Sequence, residues 1–250
     1  MGSTVCQAVI DDPDLQLVAA VDPHHAGLDL STVARVDGDD LQIASGADEL
    51  VRQRAEVVID FTHLEAAREN LAFLAEHGLH AVVGTSGFTP DDYDDVRHLF
   101  RSSNCIIAPN FAIGAVLMAR FAELAAPFFE TAEIIELHHD KKIDAPSGTA
   151  VHTAERMAAA SDTWAPDPTT HETIAGARGS VGPAGIRVHS VRLRGIVAHQ
   201  EVLLGTTGQT LTIRHDSYDR SSFMPGVVLA AKRVAEIPGL TVGLDAVLGV

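Results

Sequence analysis

The segment from Glu136 to Thr149 carries the densest set of chemically active side chains in the sequence. It places two histidines and two lysines within five residues, namely His138, His139, Lys141 and Lys142. Against a formal net charge of -16 for the whole chain, this cluster creates a local cationic pocket. Histidine can donate a proton near neutral pH, and nearby lysines oppose its charged form until an anionic ligand compensates them. The segment therefore predicts a proton-donating site for an anionic small molecule.

Ser147, Gly148 and Thr149 follow this cluster and are predicted to open a helix that continues from Ala150 to Ala160. The free backbone N–H groups at a helix start can bind a carboxylate. A metal site is disfavoured, because the side chains of adjacent histidines cannot easily share one tetrahedral ion and no third ligand is evident. No metal is therefore expected. A solvated charged loop is the plain alternative for this stretch taken alone.

The composition of the chain excludes several classes of partner. The net charge of -16 repels phosphate backbones and anionic lipids, so neither nucleic acid nor a membrane is expected. Cys6 and Cys105 lie in no disulfide or metal-ligand spacing and indicate buried thiols in a reducing compartment. The longest apolar stretch, 111–129, is interrupted by charged residues and a proline, which favours a buried helix over a membrane span. With no secretory signal pattern at the N-terminus, these features predict a soluble, cytoplasmic protein.

The first two-thirds of the sequence alternates short apolar runs with helical patterns. Such continuous apolar runs are typical of parallel strands buried on both faces. A capping box at Thr62–Glu65 predicts a helix that ends at Gly78, and Thr89 before Pro90 predicts another helix start. We expect a doubly wound, Rossmann-like parallel sheet. Its strands are predicted at 15–21, 56–61, 79–84, 105–108 and 133–137.

After about Thr149 the pattern changes to one alanine-rich helix, a loop and then alternating strands. Gly205–Gly208 predicts a hairpin turn between 201–204 and 210–214, and a final helix is expected at about 222–236. The fold class is therefore α/β, with a Rossmann-like sheet domain and a second, α+β domain for substrate binding and oligomerisation. We place the dinucleotide-binding domain at 1–110, with 222–250 returning to it, and the second domain at 111–221.

Gly2 and Asp22 match the end of a dinucleotide-binding fingerprint. Gly2 precedes a helix-like stretch, and Asp22 follows an apolar run about 20 residues later, the separation at which an acid meets the adenosine ribose. Both are expected to bind the cofactor. The strand and first glycines of this fingerprint, about ten residues, are expected to precede the printed sequence. The alternative is that Asp22 merely begins a surface turn.

Three further motifs stand between predicted strands and helices. They are Ile59–His63 (IDFTH), Val83–Phe88 (VGTSGF) and Ala108–Gly114 (APNFAIG). Together with Glu136–Thr149, they resemble the 4-hydroxy-tetrahydrodipicolinate reductases of lysine and diaminopimelate biosynthesis. The similarity extends over essentially the whole chain.

The resemblance implies reduction of a cyclic, imine-type dicarboxylate to tetrahydrodipicolinate by NADH or NADPH. It implies that His138 is the general acid and that Lys142 is a proton donor or electrostatic partner. It also implies a homotetramer in which sheets of the second domain meet. The substrate carboxylates would be held by His139, Ser147, Gly148 and Thr149. The nicotinamide and its ribose would be placed by Gly84, Thr85, Ser86, Ala108, Pro109, Asn110 and Phe111.

The sequence departs from the family pattern at several positions. Asp140-Lys141 stands where many relatives carry a residue followed by histidine, so no role is carried over to that pair. Ser86 replaces a common threonine and keeps the hydroxyl. Pro23 follows Asp22 where NADPH-preferring relatives place arginine, which favours NADH, although His24 or His25 could partly substitute.

Other protein classes share the first domain. One alternative is another Rossmann amino-acid dehydrogenase with a different substrate loop. A second is a nucleotide-sensing or scaffold protein, and a third is a truncated, inactive nucleotide-binding subunit. The combination of His138, Lys142 and the Ser147–Thr149 helix start favours the reductase over all three.

Overall fold

A computed structural model describes residues 1–36 and 41–250 and divides the chain into two units. The first unit contains Met1–Ala112 and Arg220–Val250, and the second is Ile113–Asp219. The chain therefore leaves the first unit once and later returns to it. In the part of the chain that the structure describes, no helix is both long and apolar enough to cross a membrane.

A parallel sheet forms the centre of the first unit. Its strands, in spatial order, are β1 (Val57–Asp60), β2 (His80–Val83), β3 (Cys105–Ile107) and β9 (Leu240–Val242). The side chains of β2 and β3 are almost entirely apolar, and Ala81, Val82 and Val83 are fully buried. Such burial is typical of parallel strands covered on both faces, and it confirms the predicted Rossmann-like fold class.

Helix α4 (Leu64–Glu76) packs Leu71 and Leu74 into the core beside β2 and β3. Helix α5 (Pro90–Leu99) begins at the helix start predicted at Thr89, and the structure adds a capping box there, in which Thr89 accepts from the Asp92 N–H and Asp92 accepts from the Thr89 N–H. The α-helices that the structure describes in the first unit are α1 (Gly2–Asp11), α2 (Leu30–Ala34), α3 (Asp48–Arg52), α4 (Leu64–Glu76), α5 (Pro90–Leu99), α8 (Met224–Arg233) and α9 (Asp245–Leu248).

Two predictions for the first unit are wrong in detail. The run 15–21 forms no regular strand, because Val21 alone forms a bridge, with Ala44, and a ladder needs a continuous hydrogen-bonded neighbour. Helix α4 is capped by His63, whose Nδ1 accepts from the Ala66 N–H at 3.4 Å. Thr62 is not the cap, since its hydroxyl donates to Asp60 at 2.7 Å instead.

The final helix, predicted as one element at about 222–236, is divided into shorter helical segments. Helix α8 covers only Met224–Arg233, between the 3-10 turns Arg220–Phe223 and Val234–Glu236. Beyond them lies β9, a strand that the sequence pattern does not predict. Its three residues pair in parallel with β3, so this late segment completes one edge of the sheet.

A mixed five-stranded sheet forms the centre of the second unit. Its spatial order is β5 (Ser180–Val181), β6 (Arg187–Arg192), β4 (Thr131–His138), β7 (Ala198–Thr206) and β8 (Gln209–Ser217). Helices α6 (Ile113–Ala125) and α7 (Gly148–Ala160) share a core with this sheet, in which Met118, Ile134 and Met157 are buried. The predicted hairpin is confirmed at β7–β8, where Gly208 has φ 78° in the two-residue turn.

The run 133–137, predicted as a strand of the parallel sheet, forms part of β4, which lies in the middle of the mixed sheet instead. It pairs in parallel with β6 and antiparallel with β7. Its burial alternates, with Ile134 and Glu136 fully buried and Ile135 and Leu137 only partly buried. The apolar run therefore reflects a strand with one buried face rather than two.

Candidate active site

His138 is the last residue of β4 and shares a face of the sheet with Glu136, because alternate side chains of a strand point to the same side. The Nδ1 atom of His138 lies 2.5 Å from Oε2 of Glu136. The His138 side chain retains 17% exposure, whereas the Glu136 carboxylate is completely buried. A carboxylate can only accept, so Nδ1 carries the donated proton and Nε2 is the nitrogen that can exchange one.

Glu136 also binds two other groups. Arg192, the last residue of β6, donates from its two terminal nitrogens to the two carboxylate oxygens, each at 2.9 Å. The backbone N–H of Ser147 donates to Oε1 at 3.2 Å. Burial alone would raise the pKa of Glu136, but hydrogen bonds from Arg192, Ser190 and His138 outweigh it and lower that pKa. Glu136 is therefore an anion held within the protein.

The environment of His138 favours its neutral form. Burial is the largest cause that lowers its pKa, and the positive charges of Lys142 and Arg192 act in the same direction. The hydrogen bond and charge of Glu136 oppose them without overcoming them. His138 is thus neutral near pH 7 and has room to gain a proton when an anion arrives nearby.

Lys142 and His139 lie in the loop that follows β4. The ammonium of Lys142 donates to both carboxylate oxygens of Asp144, at 2.8 and 2.7 Å. The Lys141 backbone N–H donates to Nδ1 of His139 at 3.2 Å. Arg192 donates to the backbone oxygen of Asp144 at 2.6 Å, which ties this loop to the buried Glu136. The sequence-predicted cationic residues therefore share one end of the mixed sheet.

The start of α7 confirms the predicted helix opening at the Ser-Gly-Thr motif. Ser147 is the N-cap, and its buried hydroxyl accepts from the Ala150 N–H at 3.2 Å. A Cβ added to Gly148 would meet no heavy atom within 4 Å, so there is open space above this helix turn. The first turn holds no acidic residue that would compete with an anion. Gly148 and Thr149 thus present backbone N–H groups suited to a carboxylate.

The predicted cofactor residues that follow β2 and β3 lie in the first unit, at the carboxyl ends of these parallel strands. Asp60, at the end of β1, is buried and accepts from Thr62 and from Asn70, the latter at 2.7 Å. The buried hydroxyl of Thr85 donates to the backbone oxygen of Thr62 at 3.2 Å. These contacts join the loop after β1 to the loop after β2.

Gly84 allows the same two loops to approach closely. A Cβ at Gly84 would lie 2.0 Å from the ring of Phe61. The Phe61 ring in turn lies 5.7 Å from the ring of the buried Phe111, which follows β3. The predicted residues of the β2 and β3 loops are therefore brought to one edge of the sheet. They are Gly84, Thr85 and the exposed Ser86, together with Ala108, Pro109, Asn110 and Phe111.

Gly2 and Asp22 are placed differently from the loop residues. Gly2 is the first residue of α1, with no heavy atom within 4 Å of an added Cβ. The Asp22 carboxylate accepts from the His24 N–H at 2.9 Å and from Nδ1 of His25 at 2.8 Å, and these bonds lower its pKa. Asp22 is therefore a partly exposed anion held by its own turn, a state that also suits ribose hydroxyls.

Sequence reasoning missed the residues that hold the site together. The sequence presents Glu136 only as the first member of a motif, although a carboxylate two positions before a histidine in an apolar strand is a usable signal. Arg192 lies 56 positions further on, and nothing in the sequence reveals the register that brings it to Glu136. Among residues 1–36 and 41–250, no cluster of three His, Cys, Asp or Glu side chains could hold a metal ion.

Comparison with known proteins identifies the family. The model for the N-terminus of dihydrodipicolinate reductase matches residues 1–111, and the model for its C-terminus matches 114–248. A 4-hydroxy-tetrahydrodipicolinate reductase from Corynebacterium urealyticum is 48% identical, over 100% of this chain and 94% of its own length. The reductase of the same name from Mycobacterium marinum is 51% identical, over 99% of this chain and 94% of its own length.

Solved structures agree with this result. A dipicolinate-bound dihydrodipicolinate reductase from Paenisporosarcina sp. TG-14 matches with a TM-score of 0.86 and 39% identity, covering 98% of this chain and 94% of its own. An amine dehydrogenase from Mycobacterium smegmatis, at 15% identity and a TM-score of 0.63, covers 96% of this chain and 91% of its own and shares the fold alone. In both of its units, the chain belongs to the dihydrodipicolinate reductase family of pyridine-nucleotide-dependent oxidoreductases.

Proposed function

We propose that the chain reduces 4-hydroxy-tetrahydrodipicolinate to tetrahydrodipicolinate with NADH or NADPH, as a step of lysine and diaminopimelate biosynthesis. The relatives that carry this activity in their names are about half identical to the chain over its full length. The observation that carries the proposal is the position of His138, held through Nδ1 by a buried carboxylate beside Lys142 and the start of α7.

The second unit would bind the dicarboxylate. The N–H groups at Gly148 and Thr149, with Ser147 and the imidazole of His139, would hold the substrate carboxylates. Lys142 would add a positive charge, exchanging its contact with Asp144 for one with the substrate. Fixing both carboxylates orients the ring, which is how such clamps accelerate a reaction.

His138 would act as the general acid. In the absence of substrate, burial and the neighbouring cations keep it neutral. A bound dianion compensates those cations, so the imidazole gains a proton on Nε2. That proton neutralises the negative charge that develops on the substrate during reduction.

The first unit would hold the cofactor, which supplies the hydride when bound. The loops Gly84–Ser86 and Ala108–Phe111, at the carboxyl ends of β2 and β3, would place the nicotinamide and its ribose. The free helix start at Gly2 suits the pyrophosphate, and Asp22 suits the adenosine ribose hydroxyls. We favour NADH, since the anionic Asp22 repels a 2'-phosphate and Pro23 supplies no cation, while His24 and His25 compensate only in part.

We further propose a cytoplasmic homotetramer. Free Cys6 and Cys105 suit a reducing compartment. Apolar side chains at or beside the mixed sheet are exposed, with 54% for Leu193 and 37% for Leu211, which suits association between copies. Light scattering on the purified chain tests the tetramer. A monomer at micromolar concentration would contradict it.

A coupled assay tests the reaction. The chain is mixed with aspartate semialdehyde, pyruvate, the synthase that makes the substrate, and NADH, and the loss of nicotinamide absorbance is followed. Replacing His138 by Gln should lower kcat by about 10²-fold or more, with cofactor affinity unchanged. The exposed His98→Gln variant is the matched control and should keep full activity. Full turnover in the His138→Gln variant would contradict the assigned acid. Activity only with a keto acid and ammonia would instead assign the chain to the amino-acid dehydrogenases.

A further inference from the structure

The buried carboxylate of Glu136 and the partly buried guanidinium of Arg192 lie beside the proposed acid. The two oxygens of Glu136 accept from both terminal nitrogens of Arg192, from Nδ1 of His138 and from the Ser147 N–H. With the hydrogen bond from Ser190, these contacts use the acceptor capacity of both carboxylate oxygens. The pair therefore contacts the acid on one side and the carboxylate-binding helix start on the other.

The Glu136–Arg192 pair orients the His138 ring without holding it in its charged form. A carboxylate opposite Nδ1 keeps the Nδ1 proton in place, so that Nε2 alone gains and loses a proton. An unpaired buried carboxylate would also hold the imidazole in its charged form. Arg192 neutralises that carboxylate, which leaves the ring oriented but uncharged until a substrate arrives.

The charged groups that act on His138 come from its own strand, from β6 and from the loop that follows β4. Its own strand contributes Glu136, strand β6 contributes Arg192, and the following loop contributes Lys142. Strand β7 places the neutral Ala198 opposite it. Lys142 is itself paired with Asp144, so Glu136 is the anion in contact with the ring.

The same pair also fixes the loop between the acid and α7. Arg192 donates to the Asp144 backbone oxygen at 2.6 Å, and Glu136 accepts from the Ser147 N–H at 3.2 Å. The two ends of the segment 144–147 are therefore attached to one ion pair. A displacement of the pair would move both the partner of Lys142 and the start of α7.

We infer that Glu136 and Arg192 are positioning residues: Glu136 reserves the Nδ1 proton of His138 so that Nε2 transfers the proton, and Arg192 keeps this arrangement neutral and anchors the substrate loop. The inference rests on the proposed function of His138 as the acid. It extends that function to two residues that act through His138 and through the loop before α7.

The tautomer of His138 tests the inference without turnover. Nitrogen-15 NMR of histidine-labelled protein reports which ring nitrogen carries the proton, and a His138→Gln variant assigns the signal among the 13 histidines. In the unaltered chain, the neutral ring should carry its proton on Nδ1. In Glu136→Gln, the new amide can donate to Nδ1, so the proton should move to Nε2 and the pKa of His138 should fall by about one unit, tenfold in proton affinity. In kinetic assays kcat should fall about 10²-fold.

A matched control exists on the same strand. Glu133 lies on the opposite face of β4, where it contacts Nε2 of His189 at 2.7 Å and also Arg178. Glu133→Gln removes a similar carboxylate contact and should leave the His138 tautomer and pKa unchanged. Arg192→Lys keeps the positive charge but loses the paired geometry. It should preserve the tautomer and raise KM more than it lowers kcat.

The outcomes distinguish a failure of the positioning role from a failure of the proposed function. If Glu136→Gln does not fold because Arg192 is left unpaired, the double variant Glu136→Gln with Arg192→Gln removes both charges of the pair and is measured in the same way. An unchanged tautomer and pKa of His138 in the folded variant would overturn the positioning role. Absence of reductase turnover in the unaltered chain would overturn the proposed function, whatever the NMR result.

Discussion

Replacing Gly84 by Ala should disturb the loop after β2 more than its single methyl group suggests. The added Cβ would lie 2.0 Å from one ring carbon of Phe61 and 2.4 and 2.6 Å from two others. Ordinary van der Waals contact begins near 3.4 Å. The aromatic ring must therefore move by more than about 1 Å, and Phe111 lies beside it.

The cost follows from this displacement. Overpacking of a well-filled site costs about 1–3 kcal/mol, and for a chain of this size each kcal/mol lowers Tm by about 2–4 °C. We therefore expect a Tm decrease of several degrees. Because the same loop is proposed to place the nicotinamide, strain of about 1.4 kcal/mol borne by the bound state would raise the Kd for NADH about tenfold.

Calorimetry of unfolding and titration of NADH measure the two effects. Gly46→Ala is the matched control, since an added Cβ there meets nothing within 4 Å. Combining Gly84→Ala with Phe61→Leu should recover part of the lost stability, because a smaller side chain leaves room for the methyl group. A Gly84→Ala variant with the Tm and the NADH affinity of the unaltered chain would refute the proposed close approach of the two loops.

Three further predictions concern other parts of the molecule. Ser147→Ala removes the α7 cap and should cost about 1 kcal/mol in urea unfolding while raising KM, so unchanged values of both would contradict its role. Glu133 and Glu136 have lowered pKa values, so the stability they contribute is present above pH 4.5 and should be lost as the pH falls below it, as thermal unfolding in acid would show. Burial raises the pKa of Cys105 far above its ordinary range, so a thiol reagent should label only Cys6 until the chain unfolds.

Much of the architecture could be predicted because local signals decide it. The helix starts at Thr89 and at Ser147 depend on neighbouring residues, and the structure confirms both. The apolar runs of β1, β2 and β3 were likewise recognisable. Strand β9 has three residues and no such signal, and its pairing with β3 joins segments more than a hundred residues apart.

The candidate site likewise contains residues that the sequence marks and contacts that it does not reveal. The sequence marks His138, Lys142 and Ser147 because their types and spacing are unusual in an acidic chain. It does not reveal that Thr62 donates its hydroxyl to Asp60 and that His63 caps α4 instead, since Asp60 is held in place as an acceptor by its contacts with Asn70 and Thr85. Nor does it pair Glu136 with Arg192, because strand register is a property of the assembled sheet.

The interruption of the first unit imposes an order on folding during protein synthesis. Strand β9 follows the whole of Ile113–Asp219, so the β3 edge stays unpaired on the ribosome until that insert has been translated. The insert is continuous in sequence and can close its own core first. A nascent chain of this protein therefore carries a finished domain beside an open strand edge, the kind of surface that chaperones bind and that other chains can join.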